Sequence, residues 1–254
     1  MDRPWLSFDL DHTLMINPFR RWVFPEISSW LAPFLGPGDQ PMERFIAERK
    51  KRLEAQQLSA SYDWDDILLT VSAELGVHPP FTIEKLVRQH SATGKIWLFS
   101  DVLPGLSSLQ TKGIPMVAAT NGFAKYQRPV TDHLGLTPYF KDFHTPCSVG
   151  FAKPEPQFFR FAEPYSLIHV GDRLDQDILG ANRAGAISVW IDRDLPAEWH
   201  ELSPKERCFH PLFRSRVEEK LAREGWHSPI TEENLPNYLI VSIKEVLTIW
   251  KNHH

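Results

Sequence analysis

The hydrophobic pattern along the chain falls into two regimes. Short apolar runs that stop at acids, hydroxyls or glycine read as buried strands entering turns: Leu6 to Leu10, Val117 to Ala119, Leu167 to Val170, Ile187 to Ile191 and Tyr238 to Val241. Between the first two of these, residues 16 to about 100 look wholly helical, and the spacing predicts four helices. Glu26 to Leu35 stops before Gly36-Pro37-Gly38, and Pro41 to Leu58 carries Met42, Phe45, Ile46 and Leu53 on one side. The clearest helix runs from Asp63: Trp64, Ile67, Leu68, Val71 and Leu75 recur at helical spacing, with Asp63 placed to cap and Gly76 to stop. A fourth, from Thr82 to about His90, returns the chain to the strands.

Each strand candidate is followed by a helical stretch, which predicts an α/β fold: a doubly wound parallel sheet with helices on both faces and ligands at the C-terminal ends of the strands. The expected division is a core of residues 1–15 and 101–254, an inserted α-helical cap of residues 16–100 that closes over the site and excludes water, and an extra helical insertion at 195–235. Within that insertion Ser203-Pro204-Lys205-Glu206 reads as a capping box with Pro at the first helical position, and Phe213 to Glu224 as another helix. Leaving the C-terminal end of an edge strand, the insertion either lines the rim of the site or supplies a dimer contact. The equal alternative is a surface elaboration in which Trp199, Phe209, Leu212, Phe213 and Trp226 pack on the core. Ile243 to Trp250 reads as the last helix.

Candidate chemistry clusters where the runs end. In a strand Asp9, Asp11 and, if the extended geometry persists, Thr13 project to one side. Paired carboxylates raise one another's pKa unless a divalent metal or a shared proton relieves them, so a Mg²⁺ site and an acid/base pair are both natural readings. Alone, D-x-D-x-T reads better as a polar strand end with helix-capping Asp and Thr. Three further elements change that balance. The run ending in Thr120-Asn121-Gly122 leaves a hydroxyl and backbone N–H groups as donors to phosphate oxygens. Pro154 restricts Lys153 to extended backbone and Pro156 suits the first turn of a Gln157 to Ala162 helix, which holds Lys153 at a loop-to-helix junction. Gly171-Asp172 ends another buried run, with Asp175 and Asp177 one turn later.

Together these residues resemble the haloacid dehalogenase-like hydrolases, specifically the branch with a helical cap inserted after the first motif. The four motifs, D-x-D-x-T at Asp9, the strand ending in Thr120-Asn121, Lys153-Pro154 and G-D-x-x-x-x-D at Gly171, follow in that family's order across nearly the whole chain. The resemblance implies that Asp9 is the nucleophile, forming an aspartyl phosphate, and that Asp11 is general acid and base. It implies that Thr120, Asn121 and Lys153 bind the phosphoryl group, and that Mg²⁺ is held by Asp9, the backbone carbonyl of Asp11 and Asp172, with Asp177 behind them. Asp175 reads as a solvated residue of a first helical turn. The complete set of acids favours phosphatase chemistry over dehalogenation, which needs neither leaving-group acid nor metal. Retention of both Asp9 and Asp11 argues against a non-catalytic phosphate-binding module on the same fold. His12, where many members have Gly, reads as a backbone spacer.

Composition narrows the rest. A chain of 254 residues with 42% hydrophobic content suffices for an α/β core and a smaller domain. A net charge of −4 with its 28 basic residues spread out gives no footprint for nucleic acid. No apolar run approaches the ~20 residues of a membrane span, and Met1-Asp2-Arg3-Pro4 has no signal-peptide pattern, so the expectation is a cytoplasmic protein, monomer or homodimer. Cys147 and Cys208 suit a reducing compartment and read as no metal site, and His253-His254 are assigned no role. Arg20 and Arg21, next to the first motif, are the favoured substrate contacts. The run Arg44, Arg49, Lys50, Lys51 and Arg52 reads as a solvated helix face, and Trp22, Phe24 and Trp97 as cap core. The expected substrate is a small phosphorylated metabolite: phosphoserine, phosphoglycolate, a sugar phosphate or a nucleoside monophosphate.

Overall fold

The computed structural model describes residues 3–253. The chain enters as β1 (Trp5–Phe8), turns through β2 (Met15–Ile16) and runs through α1 (Phe24–Leu31), α2 (Pro41–Glu54), α3 (Trp64–Glu74) and α4 (Ile83–His90) before β3 (Trp97–Leu98). There follow α5 (Val102–Gln110), β4 (Met116–Ala119), α6 (Ala124–His133), β5 (Asp142–His144), α7 (Pro146–Val149) and β6 (Leu167–Gly171). The chain ends through α8 (Leu179–Arg183), β7 (Ile187–Ile191), α9 (Phe213–Arg223), β8 (Tyr238–Ile240) and α10 (Val246–Lys251). Six strands form one parallel sheet in the order β5-β4-β1-β6-β7-β8. This is the doubly wound α/β fold. β4 and β6 are buried at every position, as strands covered on both faces must be, which is why they are legible as unbroken apolar runs.

The topology fixes where ligands go. β1 sits between β4 and β6, with Phe8 level with Ala118 on one side and Val170 on the other. The chain leaves this point in opposite directions, which opens a crevice at the C-terminal edge. Asp9, Thr120 and Asp172 all emerge there. The extended geometry does not persist to Thr13: β1 ends at Phe8, and His12 takes a left-handed φ of 62°. Thr13 is therefore buried, its carbonyl accepting two hydrogen bonds from Arg193, rather than sharing a face with the acids.

All four helices expected between residues 16 and 100 form, with shorter ends. α1 stops at Leu31 and continues as a 3-10 turn, Ala32–Phe34, and α2 frays at Glu54. Thr82 caps α4 by accepting from the Lys85 N–H at 3.1 Å. Asp63 does not cap α3: its carboxylate accepts from Lys125 Nζ and the Tyr126 hydroxyl instead, tying the segment to α6. The segment is not wholly helical. β2 and β3 pair antiparallel at its base, Met15 opposite Leu98, a ladder too short to leave a period in the sequence. β5, three residues long on the edge of the sheet, was equally invisible.

In the 195–235 stretch, Ser203 and Glu206 exchange capping-box hydrogen bonds ahead of a 3-10 turn, Glu206–Phe209, and α9 follows. Trp199, Phe213, Val217 and Leu221 form a separate apolar cluster with Trp190 and Leu239 of the sheet. Phe209 and Leu212 do not join it, being 75% and 61% exposed. Buried Arg207 fastens the stretch by donating to the carbonyls of Trp199, His200 and Leu239 and pairing with Glu245. At the C-terminus the His253 ring packs on Tyr238; Met1, Asp2 and His254 lie outside the described residues.

Candidate active site

Lys153 is the centre of the constellation. Only 2% exposed, its ammonium donates to Asp9 Oδ1 at 2.7 Å, to Asp177 Oδ1 at 2.5 Å and to the Ala119 carbonyl at 2.8 Å. The loop that carries it is clamped by Asn121, whose Oδ1 accepts from the Lys153 N–H at 2.8 Å and whose Nδ2 lies 3.0 Å from the Lys153 carbonyl. The same Nδ2 reaches Tyr62 Oη and Gln176 Oε1, so the Asn121 amide is occupied in holding the loop rather than turned to a ligand. Thr120 Oγ1 accepts from the Gly122 N–H at 3.2 Å.

Behind Lys153 a polar chain runs through the sheet. Asp177 accepts from Lys153, from His169 Nε2 at 3.0 Å and from the Arg173 N–H at 3.0 Å. Burial drives the His169 pKa down, so the ring is neutral; with Nε2 donating to Asp177, Nδ1 is left to accept from Ser7 Oγ at 2.8 Å. Gly171 is required for this arrangement, because a Cβ there would stand 2.2 Å from Asp177 Cγ.

The acids are held unequally. Despite burial, Lys153 and His169 keep Asp177 well below the usual carboxylate range. Burial pushes Asp9 well up, against the pull of Lys153 and with added repulsion from Asp177, Asp172 and Asp11. Burial also raises Asp172, with Lys220 opposing, and Asp11, with the Gln127 hydrogen bond opposing. Asp9, Asp172 and Asp177 bring ligand oxygens within 4.8 Å of one another. The buried oxygens of Asp9 and Asp172, each raised by burial and by neighbouring carboxylates, form a site short of positive charge, and this donor set fits a hard divalent cation such as Mg²⁺.

Asp11 points differently. Its Oδ2 accepts from Gln127 Nε2 at 2.8 Å, while Oδ1 is buried with no hydrogen-bond partner among the described residues. Gly122 makes room for this contact, since a Cβ would fall 2.2 Å from Gln127 Nε2. Asp9, Asp11, Thr120, Asn121 and Asp172 line one cavity of about 440 Å³, with Lys153 beneath it.

Arg20 and Arg21 do not line that cavity; both are exposed, and Arg21 lies over the Trp97 ring. The cations that do are Arg49, Arg173 and Lys220. Arg49 was masked by the charge run around it, and Lys220 by its distance along the chain. Arg173 pairs with Asp175, which is therefore held rather than free in solvent. Lys220 comes from α9, with Nζ 3.4 Å from Asp172 Oδ2. One turn on, Glu224 accepts from the N–H groups of Leu174 and Asp175, the first turn after Asp172. Burial and Asp175 push Glu224 up to about 7 against Lys220 and Arg173. Ser7 and His169 stand in the sequence as lone polar residues inside apolar runs, the one local sign of this polar chain.

Residues 6–185 match the haloacid dehalogenase-like hydrolase family. A glyceraldehyde 3-phosphate phosphatase of Methanopyrus kandleri is 34% identical over 186 residues, covering 68% of this chain and 77% of that protein. A phosphoserine phosphatase of Thermus thermophilus is 33% identical over 116 residues, 43% of this chain and 47% of the other. The solved HAD phosphatase of Thermococcus onnurineus superposes with a TM-score of 0.66 at 24% identity, with 97% of each chain covered; that likeness shows the fold. The chain thus belongs to the haloacid dehalogenase-like hydrolases. Within them it is an enzyme of the phosphatase kind.

Proposed function

We propose that the enzyme hydrolyses a small phosphomonoester in two displacements at phosphorus, with Asp9 as the nucleophile. The observation that carries this reading is the Lys153 ammonium bridging Asp9 and Asp177 at the floor of the cavity, beside an Asp11 with one carboxyl oxygen unclaimed. Lys153 fixes Asp9 Oδ1, so Asp9 attacks through its other oxygen, forming the phosphorus–aspartate bond as the bond to the leaving alkoxide breaks. Asp11 gives that alkoxide a proton. It then takes a proton from the water that attacks phosphorus, which releases inorganic phosphate and restores the Asp9 carboxylate.

Gln127 holds Asp11 Oδ2 and leaves Oδ1 as the atom that gives and takes the proton. Thr120 and Lys153 bind phosphoryl oxygens, and Asn121 and Asp177 position Lys153. Asp9, Asp172 and the Asp11 carbonyl would hold Mg²⁺, which supplies charge neutralisation between anionic nucleophile and anionic substrate. The helical segment 16–100 serves as the cap, because Phe24, Arg49, Tyr62 and Trp64 from it line the leaving-group side of the cavity. Turnover of p-nitrophenyl phosphate that requires Mg²⁺, stops with EDTA and is lost in Asp9→Asn is the expected result. Chloride release from a 2-haloacid without metal, in place of phosphate release, would overturn it.

A further inference from the structure

Away from the phosphoryl end, the walls of the active-site cavity become aromatic. Phe24 and Trp64 meet edge to face with ring centroids 5.1 Å apart, Phe19 packs on Phe24 at 5.3 Å, and Tyr126 meets Phe19 at 5.7 Å. Tyr62 joins this wall to the phosphoryl end through the Asn121 amide, 3.0 Å from its hydroxyl. All five rings border the same space as Asp9 and Asp11.

Into this chamber α2 sends a single cation. Arg44 pairs with Asp39, Lys50 with Glu54, Lys51 with Glu48, and Arg52 with Glu48 and Asp66. Arg49 alone of that run has no ion-pair partner among the described residues. Its guanidinium lies over the Tyr62 ring at 5.1 Å, and its Nε is buried without a hydrogen bond. Apolar ring surface facing water is unfavourable, and the Arg49 guanidinium that borders the cavity has no hydrogen-bond partner among the described residues; one kind of occupant meets both. A planar ring packs on the aromatic wall, and an acceptor atom on that ring takes the Arg49 hydrogen bond. A three-carbon polyol or an amino acid offers Arg49 an acceptor but leaves the ring surface uncovered. At about 440 Å³ the space falls within the range of pockets that enclose a ring-sized ligand.

We propose that the physiological leaving group is an alcohol carrying a planar aromatic ring with an acceptor atom, seated among Phe24, Tyr62 and Trp64 and hydrogen-bonded by Arg49. This rests on the phosphatase reading above and gives that site its substrate class. It places the specificity of the enzyme in the helical segment and leaves the phosphoryl chemistry to the sheet.

The test compares substrates in matched pairs whose ester alcohols are both primary: uridine 5′-monophosphate with ribose 5-phosphate, and benzyl phosphate with ethyl phosphate. The expected result is kcat/KM about ten-fold or more higher for the ring-bearing member of the first pair, and a smaller preference of the same sign in the second. Trp64→Leu and Phe24→Leu narrow both ratios, whereas Arg49→Met narrows that of the uridine pair more than that of the benzyl pair. Each ratio is taken within one protein preparation, so partial misfolding of a variant cancels. Ratios near one or inverted, with all four esters hydrolysed, overturn this inference and leave the phosphatase reading standing. No hydrolysis of any phosphomonoester overturns both.

Discussion

Two glycines show how the site is built residue by residue. Gly171 and Gly122 sit where any side chain would collide with a polar group that serves an acid, Asp177 in one case and Gln127 in the other. Gly122→Ala should push the Gln127 amide off Asp11 Oδ2 and free both carboxyl oxygens to rotate. The expected outcome is a fall of about ten-fold in kcat/KM for an alkyl phosphate, part of the 10²–10⁴ that general acid catalysis supplies. In kcat/KM, which reports the first displacement, p-nitrophenyl phosphate should be much less affected, because nitrophenolate leaves without a proton. An equal loss on both substrates would show that the substitution disturbs the fold rather than proton delivery. Asp9, Asp11, Thr120, Lys153 and Asp172 were legible in the sequence because each ends an apolar run or precedes a proline, so its position follows from local rules. Gln127, Arg49 and Lys220 were not, because nothing within several residues of them distinguishes a cavity-facing polar side chain from a solvated one.

At the scale of elements, α9 is the addition that reaches the chemistry. Glu224 satisfies the N–H groups of Leu174 and Asp175, and so braces the turn that carries Asp172 and Asp177. Glu224→Ala strands those donors, at a cost of about 1–3 kcal/mol in stability. It should also raise the Mg²⁺ concentration needed for half-maximal activity several-fold, as the metal-facing acids lose their fixed spacing. Glu224→Gln keeps an acceptor oxygen and should restore most of both properties; isothermal titration with Mg²⁺ separates the two effects. A wild-type metal affinity in Glu224→Ala would reduce α9 to a surface elaboration. The sequence announced α9, and the Ser203–Glu206 capping box before the 3-10 turn ahead of it, from local pattern alone. What it could not show is that a helix some 50 residues beyond Asp172 folds back onto the turn following it.

The whole molecule is closed by contacts that join distant parts of the chain. Asp101, where the helical segment re-enters the core, accepts from Arg193 after β7 and from the Ile243 N–H before α10, while Arg193 also donates to the Thr13 carbonyl after β1. Burial raises the Asp101 pKa, but the bonds from Arg193 and Ile243 outweigh it and hold the carboxyl below its ordinary value. A depressed folded-state pKa contributes stability that is complete above the unfolded value of about 3.9 and is lost as pH falls through the folded one. Asp101→Asn should therefore lower stability at pH 7 by about 1.5–3 kcal/mol, the range for hydrogen bonds to a charged group. The gap from wild type should close below about pH 4, as read by thermal unfolding across pH. The parallel sheet was legible from sequence through its five apolar runs. β5 and the β2–β3 ladder were not, because two- and three-residue strands leave no period to detect. Among the described residues no helix is long and apolar enough to cross a membrane.

The central claim is that Asp9 carries the phosphoryl group between two displacements. It is tested most directly by acid quench of the enzyme during turnover of a phosphomonoester labelled at phosphorus, followed by peptide mapping. The expected result is alkali-labile label on the peptide containing Asp9, approaching one per active site in Asp11→Asn, where hydrolysis of the intermediate is slowed, and absent in Asp9→Asn. Label on another residue, or unimpaired phosphate release by Asp9→Asn, would contradict the mechanism.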